Sequence, residues 1–434
     1  MTSPSSFPVF RTPFLFTAIY IVAVTAGAFA GGLWASLGIG GGLLVFAIIW
    51  RTKRQMPRFD RTLAFFVLAS LSVVALLNFH SSSPAVSWHM LLQQATIMLP
   101  LLLWFSPNVI ESVDCQKFFA RVALAAFIGA LALGIEFALG TPLLHLVKGP
   151  SVSITQYNRG VSYLAVMAMP LIAYLWTRGF HKELIIFVVV LLLPFSMTES
   201  RATKVAFLLG LAVAGASVFF PRFVKWSLGV ALFALLAFPF AVTSVYRFHH
   251  DWLNHLPPSW YSRVEIWDYM SYRVFDRPWL GWGMGTSRLL PFEQPDGASY
   301  HYVVTSAGHP HDAILHLWVE LGIPGIILGV TFALLMLHKA SCFPRQIVPF
   351  AFGAWTAALS ISLVGYNFWD DSLFSLFALT ALAFKLLAKQ TENVMLTGRQ
   401  TRASIFGMIL PGSSAPVALT PVVGAAAPDA QPGA

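Results

Sequence analysis

Residues 308–325 read GHPHDAILHLWVELGIPG, with His309, His311, Asp312, His316 and Glu320 threaded into an otherwise apolar stretch. Imidazoles and carboxylates so placed suit proton transfer at the edge of a membrane. Asp312 stands where an N-cap belongs, ahead of the run AILHLWVELGIPGIILGV, so a helix is predicted to begin there. His311 then sits at the mouth of that helix, beside the positive end of its dipole. That position disfavours imidazolium and keeps the neutral ring, the form a general base needs. It also favours an anion bound nearby. His316 and Glu320 fall one helical turn apart and are expected to hydrogen-bond each other. His309 reads as a loop histidine beside Pro310.

Arginines carry the complementary chemistry, because guanidinium grips phosphate oxygens with two parallel hydrogen bonds. Arg159 lies in QYNRG and Arg201 in TESRATK, while residues 246–312 hold Arg247, Arg263, Arg273, Arg277 and Arg288. Five arginines there meet six carboxylates (Asp251, Glu265, Asp268, Asp276, Glu293 and Asp296), a formal charge of −1 with histidines neutral. An anion site must therefore come from placement and not from bulk field. For any one arginine the plainer alternative is a salt bridge or a snorkelling contact with lipid phosphate.

These residues must be positioned by membrane helices. The chain has 434 residues, 57% hydrophobic and only 10% charged, with a mean hydropathy of +0.71. Such a composition excludes an ordinary soluble domain. An all-α polytopic protein of about twelve spans is predicted, over 14–34, 35–50, 62–79, 88–105, 118–140, 160–177, 183–197, 203–220, 224–245, 313–337, 346–366 and 368–388. The first span ends in small residues, AGAFA, but its apolar run is long for a cleaved signal. The organisation follows: N-terminal membrane helices over 1–245, a large outer loop over 246–312, C-terminal membrane helices over 313–392 and a Pro/Ala-rich, disordered tail over 393–434.

RTKRQMPRFDR (51–61) holds five basic residues and should face the cytoplasm. Counting spans from it puts both termini and both cysteines, Cys115 and Cys342, on that reducing side, so no disulfide is expected. The net charge of +9 is thus read as an orientation signal, with no nucleic-acid partner implied. Arg159, Arg201 and the large loop fall on the opposite face, where orientation alone would omit them. Within that loop, Ser262-Arg263-Val264-Glu265 fits a capping box for a helix running to about Val274. WLGWGMG (279–285) reads as an aromatic, glycine-spaced turn suited to a membrane interface or a sugar ring.

The segment HDAILHLWVELGIPG resembles the signature of lipopolysaccharide O-antigen ligases: a histidine, a small polar residue, nine residues, then G-x-x-G. Here these are His311, Asp312, Gly322 and Gly325. Asp312 departs from the Asn, Ser or Gln usual at its position. TESRAT around Arg201 resembles the family's Ser-Arg turn. SRVEIWDYMSYRVFDRPWLGWGMG (262–285) resembles its large-loop pattern, led by Arg263.

The resemblance implies an integral membrane glycosyltransferase of the GT-C type. Its donor would be a glycan on undecaprenyl diphosphate, its acceptor a sugar hydroxyl of lipid A–core, and its place the periplasmic face of the bacterial inner membrane. No nucleotide, cofactor or metal would be needed. His311 would be the catalytic base, with Arg201 and Arg263 on the diphosphate and Arg159 and Arg288 as weaker candidates for it. Asp370-Asp371 is the one carboxylate pair suited to a metal, but neighbouring carboxylates point apart on a helix and the arginines already supply positive charge. The nearest alternatives share the donor: an O-antigen polymerase or a protein O-oligosaccharyltransferase. A lipid-linked sugar transporter is the rival of another class. It fits less well, because ionisable residues such as Glu136, His316 and Glu320 are few inside spans, while the arginines gather at one face.

Overall fold

Backbone groups find no partner in hydrocarbon, so apolar runs of this length pair internally as helices. The computed structural model describes residues 11–53, 59–248, 253–292, 300, 301, 303 and 309–409. Among these it is helical and without strands. The N-terminal helices are α1 (Arg11–Val24), α2 (Ala26–Phe29), α3 (Leu33–Lys53), α4 (Arg61–Asn78), α5 (Pro84–Leu103) and α6 (Pro107–Ser112). Next come α7 (Cys115–Ala138), α8 (Pro142–Lys148), α9 (Asn158–Thr177), α10 (His181–Met197), α11 (Arg201–Phe219), α12 (Pro221–Ala234) and α13 (Phe238–Phe248). The chain continues through α14 (Pro258–Asp276), α15 (Ala313–Ser341), α16 (Val348–Val364) and α17 (Asp371–Ile409).

Nine helical segments among the described residues are long and apolar enough to cross a membrane, and two shorter apolar ones cover Phe14–Phe29 and Val348–Val364. Each of the twelve predicted spans overlaps a helix. The chain divides into Met1–Gln390, which holds every candidate site residue, and Thr391–Ala434. Residues 410–434 of the expected tail lie outside the described residues, as do Glu293 and Asp296 of the large loop.

α9 is the centre of the first unit: all its residues from Gly160 to Leu175 are buried. It packs against α7, α10, α11 and α16. α11 and α16 approach closely where Gly210 and Gly353 face each other, a Cβ on Gly353 falling 2.6 Å from the Gly210 carbonyl oxygen. Small residues at such a crossing let helix backbones touch. The start of α9 is tied to the neighbouring connections by hydroxyls. Ser162 Oγ lies 2.5 Å from Thr203 Oγ1 and 2.8 Å from the Tyr366 hydroxyl, and Thr198 donates to Asn158 Oδ1 at 2.8 Å.

The segment between α13 and α15 is built on α14, which packs against both. The predicted capping box is not formed. α14 begins earlier, at Pro258 after Pro257, because proline pre-sets the first helical turn. Ser262 is consequently inside the helix. Glu265 turns away from the helix start and accepts from the amides of His301 (2.6 Å) and Val303 (3.1 Å). Asp268 takes the Tyr300 hydroxyl at 2.7 Å, so two carboxylates of α14 pin that strip of loop.

Candidate active site

The mouth of α15 is built as its sequence predicts. Asp312 is extended (φ −145°, ψ 124°) and accepts from the Leu315 amide at 2.7 Å, the N-cap that starts the helix. His311, one residue earlier, is left-handed (φ 55°), an uncommon conformation for a residue with a Cβ. Its amide donates to His309 Nδ1 at 3.3 Å and the two rings lie 3.9 Å apart. Accepting at Nδ1 needs a neutral His309, and burial, with His311 and His316 close by, pushes that ring down to about 3. The His311 ring is half-buried, and its Nδ1 has no hydrogen-bond partner among the described residues. Burial lowers its pKa, as do the Arg263 guanidinium and His316, against an opposing backbone contact with Gly365. These influences favour the neutral ring, whose unpartnered Nδ1 is buried.

Arg263 reaches this ring from the first turns of α14. Its guanidinium lies 5.8 Å from the Trp260 ring, half-buried, and interacts with Tyr366, the side chain that links the group to α9. The Tyr366 hydroxyl binds Ser162, and Arg159 lies over its ring at 5.9 Å. Burial pushes the Tyr366 phenol up to about 12, although Arg159 and Arg263 both favour its ionised form. Arg159 in turn pairs with Asp370, Nη2 to Oδ2 at 3.0 Å. Tyr366, Arg159 and Asp370 thus form one chain of contacts, and Arg263 acts electrostatically on both Tyr366 and His311, which brings together residues from four separate stretches of sequence.

Arg201 stands apart from that chain. It is exposed at the start of α11, behind the Ser200 N-cap, and lines a cavity of about 510 Å³. The cavity is otherwise apolar, with Phe238, Val242, Trp260, Val264 and Trp267 in its wall. Trp260 lines it and also has the Arg263 guanidinium 5.8 Å from its ring. Arg288 is exposed on the 3-10 turn Ser287–Leu289. Sequence reasoning missed Tyr366, since a tyrosine after a span reads as an interface anchor.

The glycine-spaced turn is neither loose nor free to hold a sugar with all its rings. Trp282 donates from Nε1 to the Arg273 carbonyl at 2.9 Å and carries Arg277 at 4.2 Å from its centroid, whereas Trp279 is exposed. The turn docks where α15 breaks. Gly322 there has φ 63° and ψ −151°, which no side-chain-bearing residue adopts readily. The break frees the carbonyls of Val319 and Glu320, which accept from the amides of Trp282 and Gly283, both at 2.8 Å. Ile323 donates to Pro278 at 3.1 Å. The G-x-x-G element is thus the seat for WLGWGMG, and a Cβ on Gly281 would fall 2.5 Å from the Glu320 carbonyl carbon.

Residues 184–330 match the family model described as O-antigen ligase. Arg201, Arg263, Arg288, His311 and Gly322 lie inside that stretch, while Arg159 and Tyr366 lie outside it. Among curated proteins, the chain is 23% identical over 269 residues to a provisionally named polysaccharide ligase of Rickettsia conorii. The alignment covers 59% of this chain and 63% of that relative. A similarly named protein of Rickettsia prowazekii is 25% identical over 288 residues, covering 63% of this chain and 69% of its own. The chain is thus similar to proteins described as O-antigen ligase or polysaccharide ligase, and its apolar helices are those of a multi-pass membrane protein.

Proposed function

We propose that this chain, whose residues 184–330 match the O-antigen ligase family, transfers a glycan from undecaprenyl diphosphate to a sugar hydroxyl of lipid A–core. The reaction runs at the periplasmic face of the inner membrane. The observation that carries the reading is the convergence on His311. A half-buried imidazole whose neutral form is favoured stands at a helix mouth in the field of Arg263, and an apolar cavity edged by Arg201 is lined by Trp260, the ring that Arg263 approaches.

His311 takes the proton of the acceptor hydroxyl as that oxygen attacks the anomeric carbon. The bond from that carbon to the diphosphate oxygen breaks on the opposite side, so the configuration inverts. The leaving diphosphate departs with the electron pair. Arg263 offsets the charge that develops there, a contribution made in the transition state more than in the ground state. The apolar cavity suits the first isoprene units of the carrier, with Arg201 at its edge for phosphate oxygens. Arg159 is partly spent on Asp370 and orients Tyr366, whose ring and hydroxyl bridge the two arginines. The activation is already in the diphosphate ester, so the site needs no nucleotide.

The test is glycan transfer by purified protein, with undecaprenyl-diphosphate glycan and lipid A–core, comparing wild type with His311→Ala. Transfer by wild type that is lost in a folded variant supports the reading. Extension of one lipid-linked glycan by another, without transfer to lipid A–core, would make the protein a polymerase. A Ser or Thr acceptor would make it a protein O-glycosyltransferase. Translocation of the lipid-linked glycan without transfer would overturn the enzymatic reading.

A further inference from the structure

Glu320 is fully buried inside α15, and its carboxylate is surrounded by donors alone. Oε2 accepts from the Gly285 amide and the Trp369 indole, each at 2.6 Å. Oε1 accepts from the Ser287 amide at 3.1 Å and meets His316 Nε2 at 3.1 Å. His316 Nδ1 accepts from the Phe368 amide at 3.4 Å, which leaves the ring proton on Nε2, facing the carboxylate. Four donors on two oxygens satisfy the group as an anion, because a proton on either oxygen would have no acceptor to meet.

Apart from His316 on the same helix, these donors come from Gly285 and Ser287, at the end of WLGWGMG and just beyond it, and from Trp369, next to the Phe368 amide that donates to His316. Phe368 and Trp369 belong to the short connection that carries Tyr366 and Asp370, the partners of Arg263 and Arg159. The His316–Glu320 pair sits in the first turns of α15, the helix whose mouth carries His311. Its hydrogen bonds thus tie the 365–370 connection to the helix that carries His311 at its mouth, whereas the apolar cavity is walled mainly by α13 and α14.

We propose that Glu320, seconded by His316, is a positioning residue for glycosyl transfer: it fixes the Tyr366–Asp370 connection against His311. This inference rests on the transfer reaction proposed above. Surrounding a buried carboxylate with fixed donors is a means of holding reactive groups to within fractions of an ångström. The substrate never touches it.

The experiment compares Glu320→Gln, Tyr366→Phe and the double variant. In Glu320→Gln an amide NH2 faces two of the four donors, so the connection shifts while the helix keeps its packing volume. The expected loss is roughly 10- to 100-fold in kcat, with the KM for the lipid-linked donor unchanged to about twofold. The two substitutions should be non-additive, Glu320→Gln costing little more once Tyr366→Phe is present. Hydrogen–deuterium exchange should quicken in peptides spanning 284–288 and 366–370 and stay unchanged in α9. Full additivity, a wild-type kcat, or faster exchange throughout the molecule would overturn the proposal. Should wild-type protein transfer no glycan, the transfer reading falls, and the exchange pattern alone decides whether Glu320 holds the connection.

Discussion

A Cβ built on Gly322 would stand 2.6 Å from both the carbonyl carbon and the carbonyl oxygen of Trp279. Both atoms belong to backbone, so neither can swing aside, and the positive φ adds its own strain. Gly322→Ala is expected to lower stability by about 1–3 kcal/mol and to loosen the docked turn. Thermal unfolding in detergent, read beside the same substitution at Gly215, whose Cβ would meet open space, checks this. Equal melting points for the two variants would contradict it.

The arginines should separate by kinetic parameter. Arg263→Ala is expected to lower kcat by roughly 10²- to 10³-fold, since it faces charge that appears only on the leaving group. Arg201→Ala should act mainly on the KM of the lipid-linked donor, because Arg201 borders the apolar cavity and not the His311 group. Arg159→Ala should cost less than Arg263→Ala, its charge being shared with Asp370. Arg288→Ala should leave transfer near wild type. Steady-state kinetics on the four variants tests the order, and a loss at Arg288 as deep as at Arg263 would reverse it.

The pH dependence follows from His311. Its conjugate acid is the inactive form, and its pKa is lowered from the ordinary 6.5 by burial, Arg263 and His316. Activity should therefore persist as pH falls through about 6.5, and disappear only when His311 itself is protonated. His309, pushed down to about 3, titrates below that limb. A profile of kcat/KM against pH checks the sign: an acid limb centred above 6.5 would mean that another group controls the rate.

Asp312 carries the opposite shift. Burial pushes its carboxyl up from 3.8 to about 7, despite the amides of Leu315 and Ile314. The folded protein thus holds this proton over a range where the unfolded chain releases it. The stability associated with it is complete below about 3.8 and is lost as pH rises through about 7. A neutral carboxyl has the shape of an asparagine amide and still accepts from Leu315, so Asp312→Asn should keep the helix start and the transfer activity. Its melting point should gain on the wild type as pH rises from 3.8 to about 7 and hold that gain above it. A gap that stays constant with pH would show that Asp312 is ionised throughout.

Periodicity and apolarity were enough to mark the helices, because a membrane helix is specified by its own residues. The start of α15 was legible for the same local reason: the cap and the capped amide are three residues apart. The His316–Glu320 pair, one turn apart, was also readable as a hydrogen bond, and it forms at 3.1 Å. What no local pattern could reveal is that the same carboxylate binds Gly285 and Trp369, which lie 35 and 49 residues away in the chain. Tyr366 was hidden likewise, its partner Ser162 being 204 residues distant. The capping box misled because Ser262 and Glu265 satisfy a spacing, whereas the preceding Pro257-Pro258 decides where the helix starts.

The break at Gly322 gives α15 two halves under different selection by their surroundings. Nine of the ten residues from Ala313 to Gly322 are buried in protein, whereas most of those from Ile323 to Ser341 are not. The first half is thus legible only to its neighbours, and each of its side chains is tied to a particular socket. The second half needs little more than greasiness and length. A block exchange of residues 327–336 for an unrelated apolar sequence would leave the outer half seated, as a handle can be replaced without recutting the key.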